Sequence, residues 1–460
     1  MTVEPSTISL GQKRVHVETW GCQMNVADSE KMLGLLYKEN YELATNESEA
    51  DLIILNTCHI REKATHKVLS RLGRLREAKS KNPSLKIAVT GCVAQAEGKK
   101  LLERSDLIDI LIGPGKIDDL PAILKSQQDQ GSKSMALGFN KEPAPEMAVA
   151  ANPTLTGKSE VTRYININQG CNNFCTFCVV PYTRGREISR LPRDIIAEVE
   201  SAVAQGAREV TLLGQNVNSY GLDLVEQHDQ VGDGPFVSLL QGVSAVKGLD
   251  RLRFTTSNPH DFTKPLADLF FTESKLGSYL HLPVQSGNDE VLARMRRKVT
   301  REEFLTRVGW LRDRDPNFAL STDLIVGFPG ETEAQFEDTL SLVEQVRFSF
   351  IFAFKYSPRK HTAAAKFRDQ LSEEDKSRRL HLLNKLQDKI TIELNVAQIG
   401  KEVEVLCHYR SQKDPGCYYS RTPDFRLVRM NSDRNLVGQK VMVKIVDGNK
   451  TALVGDVLSV

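Results

Sequence analysis

Strand and helix patterns alternate along most of this chain, and no other feature limits its fold more. Between Val161 and Gln370 lie six apolar runs of strand character: "RYININ", "EVTLLG", "RLRFTT", "YLHLPV", "FALSTDLIVG" and "FSFIFAFKY". Amphipathic stretches such as "PRDIIAEVESAVAQG" and "EAQFEDTLSLVEQV" separate them. Strands joined through helices pair in parallel, and a parallel sheet is covered on both faces. Eight such units close a TIM barrel; six are too few, so the pattern predicts a partial, open (β/α)6 barrel. Ligands of such sheets bind at the C-terminal ends of the strands.

The flanking segments differ. Residues 13–128 read as an α/β domain with a parallel sheet, built on "KRVHVETW", "ADLIILNT", "LKIAVTG" and "IDILIG". Residues 129–160, rich in Pro, Gly, Ser and Ala without sustained period, read as an interdomain connection. The barrel domain with its following charged helix spans 161–395. Residues 397–460 hold five short strand patterns between turn residues, which predicts a small antiparallel β-barrel of OB-like size. The chain is thus an α/β multidomain protein, as its 460 residues require. A formal net charge of +2 excludes a globally basic nucleic-acid binder, so any such surface must be local. Neither a secretory signal nor an apolar run of bilayer length is present, which predicts a cytoplasmic chain without membrane contact. Structural disulfides are disfavoured there. With no signal for oligomerisation, a monomer is expected.

The eight cysteines sort by position. Cys171, Cys175 and Cys178 form C-x3-C-x2-C directly after the first barrel strand. A structural zinc site wants four ligands, and no second C-x2-C exists. Three thiolates instead suit a [4Fe–4S] cluster with one iron left open for substrate. Cys22, Cys58 and Cys92 are far apart in sequence, yet "HVETWGC", "LIILNTC" and "IAVTGC" each end a strand with cysteine. Parallel strands end along one edge, so the three can converge. The alternative is three buried free thiols; three placements of this kind favour a second three-cysteine cluster. Cys407 and Cys417 read as structural.

C-x3-C-x2-C after the first strand of a six-unit barrel resembles the radical S-adenosylmethionine enzymes. The ordered motifs "TWGCQMN", "NTCHIREKA", "TGCVAQAEG", "GCNNFCTFCVVPYTRGRE", "LLGQNVNSYG", "HLPVQSG" and "TDLIVGFPGET" resemble the methylthiotransferases of that superfamily over nearly the whole chain. "GCQMN" and "FCVVPYTRGRE" are similar to the MiaB type, which acts on tRNA. The C-terminal segment resembles the TRAM domain, an RNA-binding barrel.

The resemblance implies two [4Fe–4S] clusters and S-adenosyl-L-methionine as cofactors. Cys171, Cys175 and Cys178 would hold the radical-generating cluster, Cys22, Cys58 and Cys92 an auxiliary one. The implied reaction is methylthiolation at carbon 2 of N6-(dimethylallyl)adenosine at position 37 of tRNA. One S-adenosylmethionine donates the methyl group, a second yields the 5′-deoxyadenosyl radical, and the sulfur is carried on the auxiliary cluster. Implied partners are the tRNA anticodon stem-loop and an electron donor such as flavodoxin or ferredoxin. Gln215, Asn216, Asn218, Ser257, Asn258, Gln285 and Ser286 end barrel strands, where they would bind S-adenosylmethionine or simply satisfy turns. Asp323 lies on the fifth strand, and Gly327 would let backbone approach the adenine closely. Phe174 and Phe177 would shield the cluster or anchor its loop. Two departures from the family pattern stand out: His59 after the second auxiliary cysteine, and Lys360–His361 in place of a Pro-Gly turn near Arg359.

For RNA, the segment from Ala397 holds ten Lys and Arg against seven acidic residues. Arg410, Arg421, Arg426, Arg429 and Arg434 are interleaved with Tyr409, Tyr418, Tyr419 and Phe425, a composition suited to phosphate neutralisation and base stacking. The basic helix Arg61–Lys81 offers a second surface, or a solvated face. Rival readings are a sister enzyme acting on threonylcarbamoyladenosine or on a ribosomal protein, and a non-catalytic iron–sulfur RNA-binding protein.

Overall fold

Alternating apolar residues in the first segment form strands whose two faces bury separate cores. The computed structural model describes residues 13–58, 63–130, 133–139, 161–224 and 233–459. Two units emerge: residues 1–156 together with Tyr182–Gly185, and Gly157–Pro181 together with Arg186–Val460.

Among its described residues the first unit contains six parallel strands: β1 (Lys13–Trp20), β2 (Tyr41–Leu43), β3 (Leu52–Thr57), β4 (Lys86–Gly91), β5 (Ile110–Ile112) and β6 (Ser134–Ala136). Their order is β2-β1-β3-β4-β5-β6. Every residue of β3 is buried. Ile54 faces a core with Val15, Met32, Leu36 and Leu124; Ile53 and Leu55 face another with Val68, Leu72 and Val89. The short edge strands β2 and β6 are additions to the expected sheet. β6 corrects the expected connection 129–160: its start pairs with β5, and residues 140–160 lie outside the described residues.

In the second unit all six expected barrel strands form. β7 (Thr162–Asn166) is followed by a two-stranded ribbon, β8 (Asn168–Gln169) with β9 (Ile188–Ser189). Then come β10 (Glu209–Leu213), β11 (Arg251–Thr255), β12 (Tyr279–His281), β13 (Ala319–Val326) and β14 (Phe350–Lys355). They pair as two parallel half-sheets, β11-β10-β7 and β12-β13-β14.

The helix Glu373–Val396 leads into β15 (Glu402–Arg410), β16 (Cys417–Arg421), β17 (Leu427–Asn431), β18 (Lys440–Gly448) and β19 (Leu453–Ser459). These close as a barrel, β15-β16-β17-β19-β18, around Val405, Cys407, Tyr418, Val428, Met430 and Val443. The β17–β19 pair is parallel; the other pairs are antiparallel, as expected. Cys407 and Cys417 are both buried.

The small barrel seals the N-terminal end of the larger one. Phe425, before β17, stacks on Tyr279 with ring centroids 4.7 Å apart. Below it, Glu209 accepts from Arg253 Nε at 3.0 Å and lies 3.3 Å from His408 Nε2. Arg253 also donates to the carbonyls of Thr422 (3.1 Å) and Pro423 (3.2 Å). Glu209, Arg251, Tyr279 and Phe350 are each the first residue of their strands, so this contact lies opposite the strand ends where ligands bind.

Candidate metal centres

β1, β3 and β4 are adjacent and in step: Trp20 aligns with Thr57, and Thr57 with Gly91. Cys58 and Cys92 therefore follow aligned strand ends directly, and Cys22 follows after one glycine. That glycine is needed for space: a Cβ on Gly21 would lie 2.6 Å from Cys58 Cβ. Gly91 has φ +88°, and a Cβ there would meet the Thr57 carbonyl at 2.3 Å. Behind the trio, Asn25 Nδ2 donates to Asn56 Oδ1 (2.9 Å), and Asn56 Nδ2 donates to the Asn25 carbonyl (2.7 Å) and to Ser29 Oγ (2.9 Å). This buried network braces "GCQMN" against "LNTC".

The thiols interact. A hydrogen bond from Cys58 holds the Cys22 thiol below its ordinary range against the opposing effect of burial, with Arg184 and the Asn25 backbone assisting. Burial pushes the Cys92 thiol up, and Arg184 offsets part of that. Three thiols on aligned strand ends, with glycines where the chain must approach them, fit a three-thiolate iron–sulfur site. His59 lies outside the described residues.

The second trio sits in a loop closed by the β8–β9 ribbon. Asn168 pairs with Ser189 and Gln169 with Ile188, which brackets residues 170–187. Thr176 fixes the loop's middle: its N–H and Oγ1 donate to the carbonyls of Met295 (3.1 Å) and Arg294 (2.9 Å), and its own carbonyl accepts from Ala364 N–H (2.9 Å). Phe177 packs with Met295, Phe328 and Tyr356, so it anchors the loop; Arg186 covers the Phe174 ring at 4.2 Å. Asn173 Nδ2 donates to Cys171 Sγ, and Arg297 Nη1 to Cys175 Sγ, both at 3.6 Å. Burial and the neighbouring cysteines push the Cys178 thiol up to about 12. Burial, then Cys175 and Glu187, raise Cys171. A loop in which burial and neighbouring sulfurs oppose ionisation of Cys171 and Cys178 suits a cation that all three cysteines can bind as thiolates.

The expected S-adenosylmethionine residues divide into two groups. Gln215 Oε1 accepts from Gly170 N–H and so positions the cysteine loop. Asn218 exchanges hydrogen bonds with the Asn258 backbone (2.8 and 2.9 Å), while Ser286 accepts from Asn288 N–H at 3.3 Å. Gln285 bridges to β13, its N–H donating to the Asp323 carbonyl at 2.9 Å. At Gly327, φ +69°, a Cβ would meet Lys376 Cγ at 2.4 Å, so a side chain there is excluded by the lysine stem. By contrast, Ser257 Oγ and Asn216 Oδ1, with Asn166 Oδ1 from the end of β7, are buried without a partner among the described residues. Such acceptors at strand C-termini suit a ligand bearing donors.

Asp323 is pushed up to about 6 by burial, against Arg297 and Gln285. Burial pushes His281 down to about 4, so its 3.5 Å contact with Asp323 joins a neutral imidazole to the carboxyl at pH 7. Glu187 is pushed up to about 7 by burial, with Asp223 and Asp261 adding, although Ser219 (2.6 Å) and Asn168 (2.9 Å) donate to it. Sequence reasoning missed Arg297, Glu187, Arg184 and Asp28; the last three lie in or beside the quoted motif blocks. At Lys360–His361 a tight turn is kept. Thr362 N–H donates to the Arg359 carbonyl at 3.1 Å, and His361 takes φ +72°, a conformation suited to glycine.

The expected RNA residues need correction. Tyr418 lies in the barrel core, because strand alternation sends it inward and Tyr419 outward. Phe425 is the plug, Arg421 donates to the Phe425 carbonyl (2.8 Å), and Arg426 is held by Asp424 and Asn395 (both 2.7 Å). Tyr409, Tyr419 and Arg429 remain as one cross-strand row over β15, β16 and β17. The two tyrosine rings stack at 5.2 Å, and Arg410 and Arg434 are exposed. On the helix Lys63–Lys81, Arg71, Arg76, Lys79 and Lys81 pair with acidic residues, which favours a structural face; Arg61 lies outside the described residues.

Known proteins resemble the chain across both units. Residues 14–113 match the uncharacterized protein family UPF0004, and residues 165–343 the Radical SAM superfamily. The tRNA-2-methylthio-N(6)-dimethylallyladenosine synthase of Geobacter metallireducens is 44% identical over 446 residues, covering 97% of this chain and 98% of the relative. The enzyme of the same name from Geotalea uraniireducens is 42% identical, covering 97% and 99%. Among solved structures, the radical S-adenosylmethionine methyltransferase TsrM from Kitasatospora setae superposes with a TM-score of 0.55 at 13% identity, covering 75% of this chain and 73% of that one; this likeness is one of fold. Matched at this identity over nearly its whole length, the chain belongs to the tRNA-2-methylthio-N(6)-dimethylallyladenosine synthase family of radical S-adenosylmethionine enzymes.

Proposed function

We propose that this chain replaces the hydrogen on carbon 2 of N6-(dimethylallyl)adenosine, at position 37 of tRNA, with a methylthio group. It uses two S-adenosylmethionine molecules, one as methyl donor and one as radical source. The observation that carries this reading is the presence of two separate cysteine trios, each placed at the C-terminal ends of parallel strands and each one ligand short of four. Cys171, Cys175 and Cys178 hold one [4Fe–4S] cluster and Cys22, Cys58 and Cys92 the other. When bound, these groups supply the radical that an unactivated aromatic C–H requires and a carrier for the sulfur. The chain's own residues do the rest. Thr176, Gln215 and the β8–β9 ribbon hold the loop in place, Arg297 sets a cation at Cys175, and Ser257, Asn216 and Asn166 offer acceptors to S-adenosylmethionine. Phe425 and its neighbours close the barrel floor against water. A low-potential donor such as flavodoxin or ferredoxin supplies electrons, and the chain acts as a cytoplasmic monomer. Anaerobically reconstituted protein given S-adenosylmethionine, reductant and tRNA bearing dimethylallyladenosine should yield the 2-methylthio nucleoside. 5′-Deoxyadenosine and S-adenosylhomocysteine should accompany it; their formation without the product nucleoside would contradict the reading.

The outward row of the small barrel is the RNA surface. Stacking on an aromatic is worth about 1–3 kcal/mol per base. Tyr409→Ala and Tyr419→Ala should each weaken tRNA binding by about that much, read by filter binding. Arg429→Ala should lower the slope of log affinity against log salt by about one. Unchanged binding in all three would remove this surface from the account.

A further inference from the structure

Arg184 enters the first unit from far along the chain, within Tyr182–Gly185, and is only 4% exposed there. Its Nη2 donates to Asp28 Oδ2 at 2.6 Å, and Asp28 is equally buried. The same guanidinium hydrogen-bonds the Cys92 thiol and acts electrostatically on Cys22. Asp28 acts on both cysteines in the opposite sense. A buried guanidinium is costly unless compensated, and one carboxylate already compensates it. Three thiolates at the same place bring more negative charge than remains to be balanced, so the cation is shared between Asp28 and the cysteines.

A thiolate-held cluster is negatively charged, and reduction adds one more electron. Net charge and hydrogen bonds to sulfur are the protein's levers on such a potential. We propose that Arg184 and Asp28 are an opposed pair of positioning residues that set the reduction potential of the group held by Cys22, Cys58 and Cys92. Arg184 raises the potential and Asp28 lowers it. The proposal rests on the reading that this trio holds a [4Fe–4S] cluster. A purely structural role, in which the ion pair only ties Tyr182–Gly185 to the helix Gln23–Tyr37, predicts that losing either partner has the same kind of effect.

The test is an electron paramagnetic resonance redox titration of the full chain, reconstituted anaerobically. Cys171→Ala, Cys175→Ala and Cys178→Ala are introduced together so that only the auxiliary group gives a signal. This parent protein should hold about four irons; absence of iron would overturn the cluster reading, and the proposal with it. With iron bound, Arg184→Gln should make reduction about tenfold less favourable, a midpoint lower by about 59 mV for one electron. Asp28→Asn should move the midpoint upward, and Arg184→Lys, which keeps the charge, should stay nearer the parent. Shifts of the same sign in Arg184→Gln and Asp28→Asn, or no shift with iron retained, would overturn the proposal. If Arg184→Gln fails to bind iron, Asp28→Asn decides the matter: its midpoint must rise.

Discussion

Replacing Cys22, Cys58 and Cys92 together with alanine should halve the iron of the reconstituted protein, from about eight atoms per chain to about four. It should abolish the methylthio product while leaving reductive cleavage of S-adenosylmethionine in place. The expectation follows from how the trios are built. The first depends on aligned ends of β1, β3 and β4, with Gly21 and Gly91 opening space for it. The second depends on a loop fixed by Thr176, Gln215 and the β8–β9 ribbon, all within the other unit. Removing three thiols from the first leaves the contacts of Thr176, Gln215 and the β8–β9 ribbon unchanged. Iron analysis and chromatography of 5′-deoxyadenosine check both halves. Loss of cleavage with four irons retained would contradict separate roles.

Glu209→Ala should destabilise the second unit by about 3–5 kcal/mol, the range for removing one partner of a buried ion pair. Glu209 is the carboxylate beneath a group of guanidiniums. Burial would raise it, but Arg253 and His408 outweigh that and hold it well below the ordinary range. Arg251 is pulled down to about 10 by burial, then by Arg253; Arg421 is lowered by burial as well. Without Glu209, Arg253 would lose its carboxylate and keep the carbonyls of Thr422 and Pro423 and the face of the Phe425 ring. The replacement should therefore loosen the small barrel from the floor of the larger one, seen as faster hydrogen exchange in β10, β11 and the loop Thr422–Arg426. A paired replacement of Glu209 and Arg253 by methionines should cost less than Glu209→Ala, because neither charge is then left unpaired. Equal costs would show that the ion pair is not the determinant.

The features readable from sequence are those whose cause is local. Six barrel strands and the central strands β1, β3 and β4 announce themselves as apolar runs, and a cysteine at the end of each of three such runs already implies convergence. The three-residue edge strands β2 and β6 carry no period long enough to register, and β6 hides in a segment that reads as a connection. Composition found an excess of basic and aromatic residues after Ala397 but could not say which way each faced. Alternation then buried Tyr418, and the floor contact took Phe425, Arg421 and Arg426. The packing of the Lys376 stem against Gly327 is not legible, because the two are remote in sequence. The Arg184–Asp28 pair, 156 residues apart, is invisible for the same reason. Long-range polar contacts have no periodicity, so only the folded chain reveals them.

The central claim, that this chain installs a methylthio group on dimethylallyladenosine of tRNA with two cysteine trios in different roles, is tested most directly by nucleoside mass spectrometry. The tRNA is taken from cells lacking the gene and from the same cells complemented with the intact chain or with the Cys22, Cys58 and Cys92 alanine variant. The account predicts that 2-methylthio-N6-dimethylallyladenosine disappears in the deletion and its unmodified precursor accumulates. The intact chain should restore the product and the variant should not. Persistence of the methylthio nucleoside in the deletion, in cells with no other enzyme that supplies it, would contradict the account.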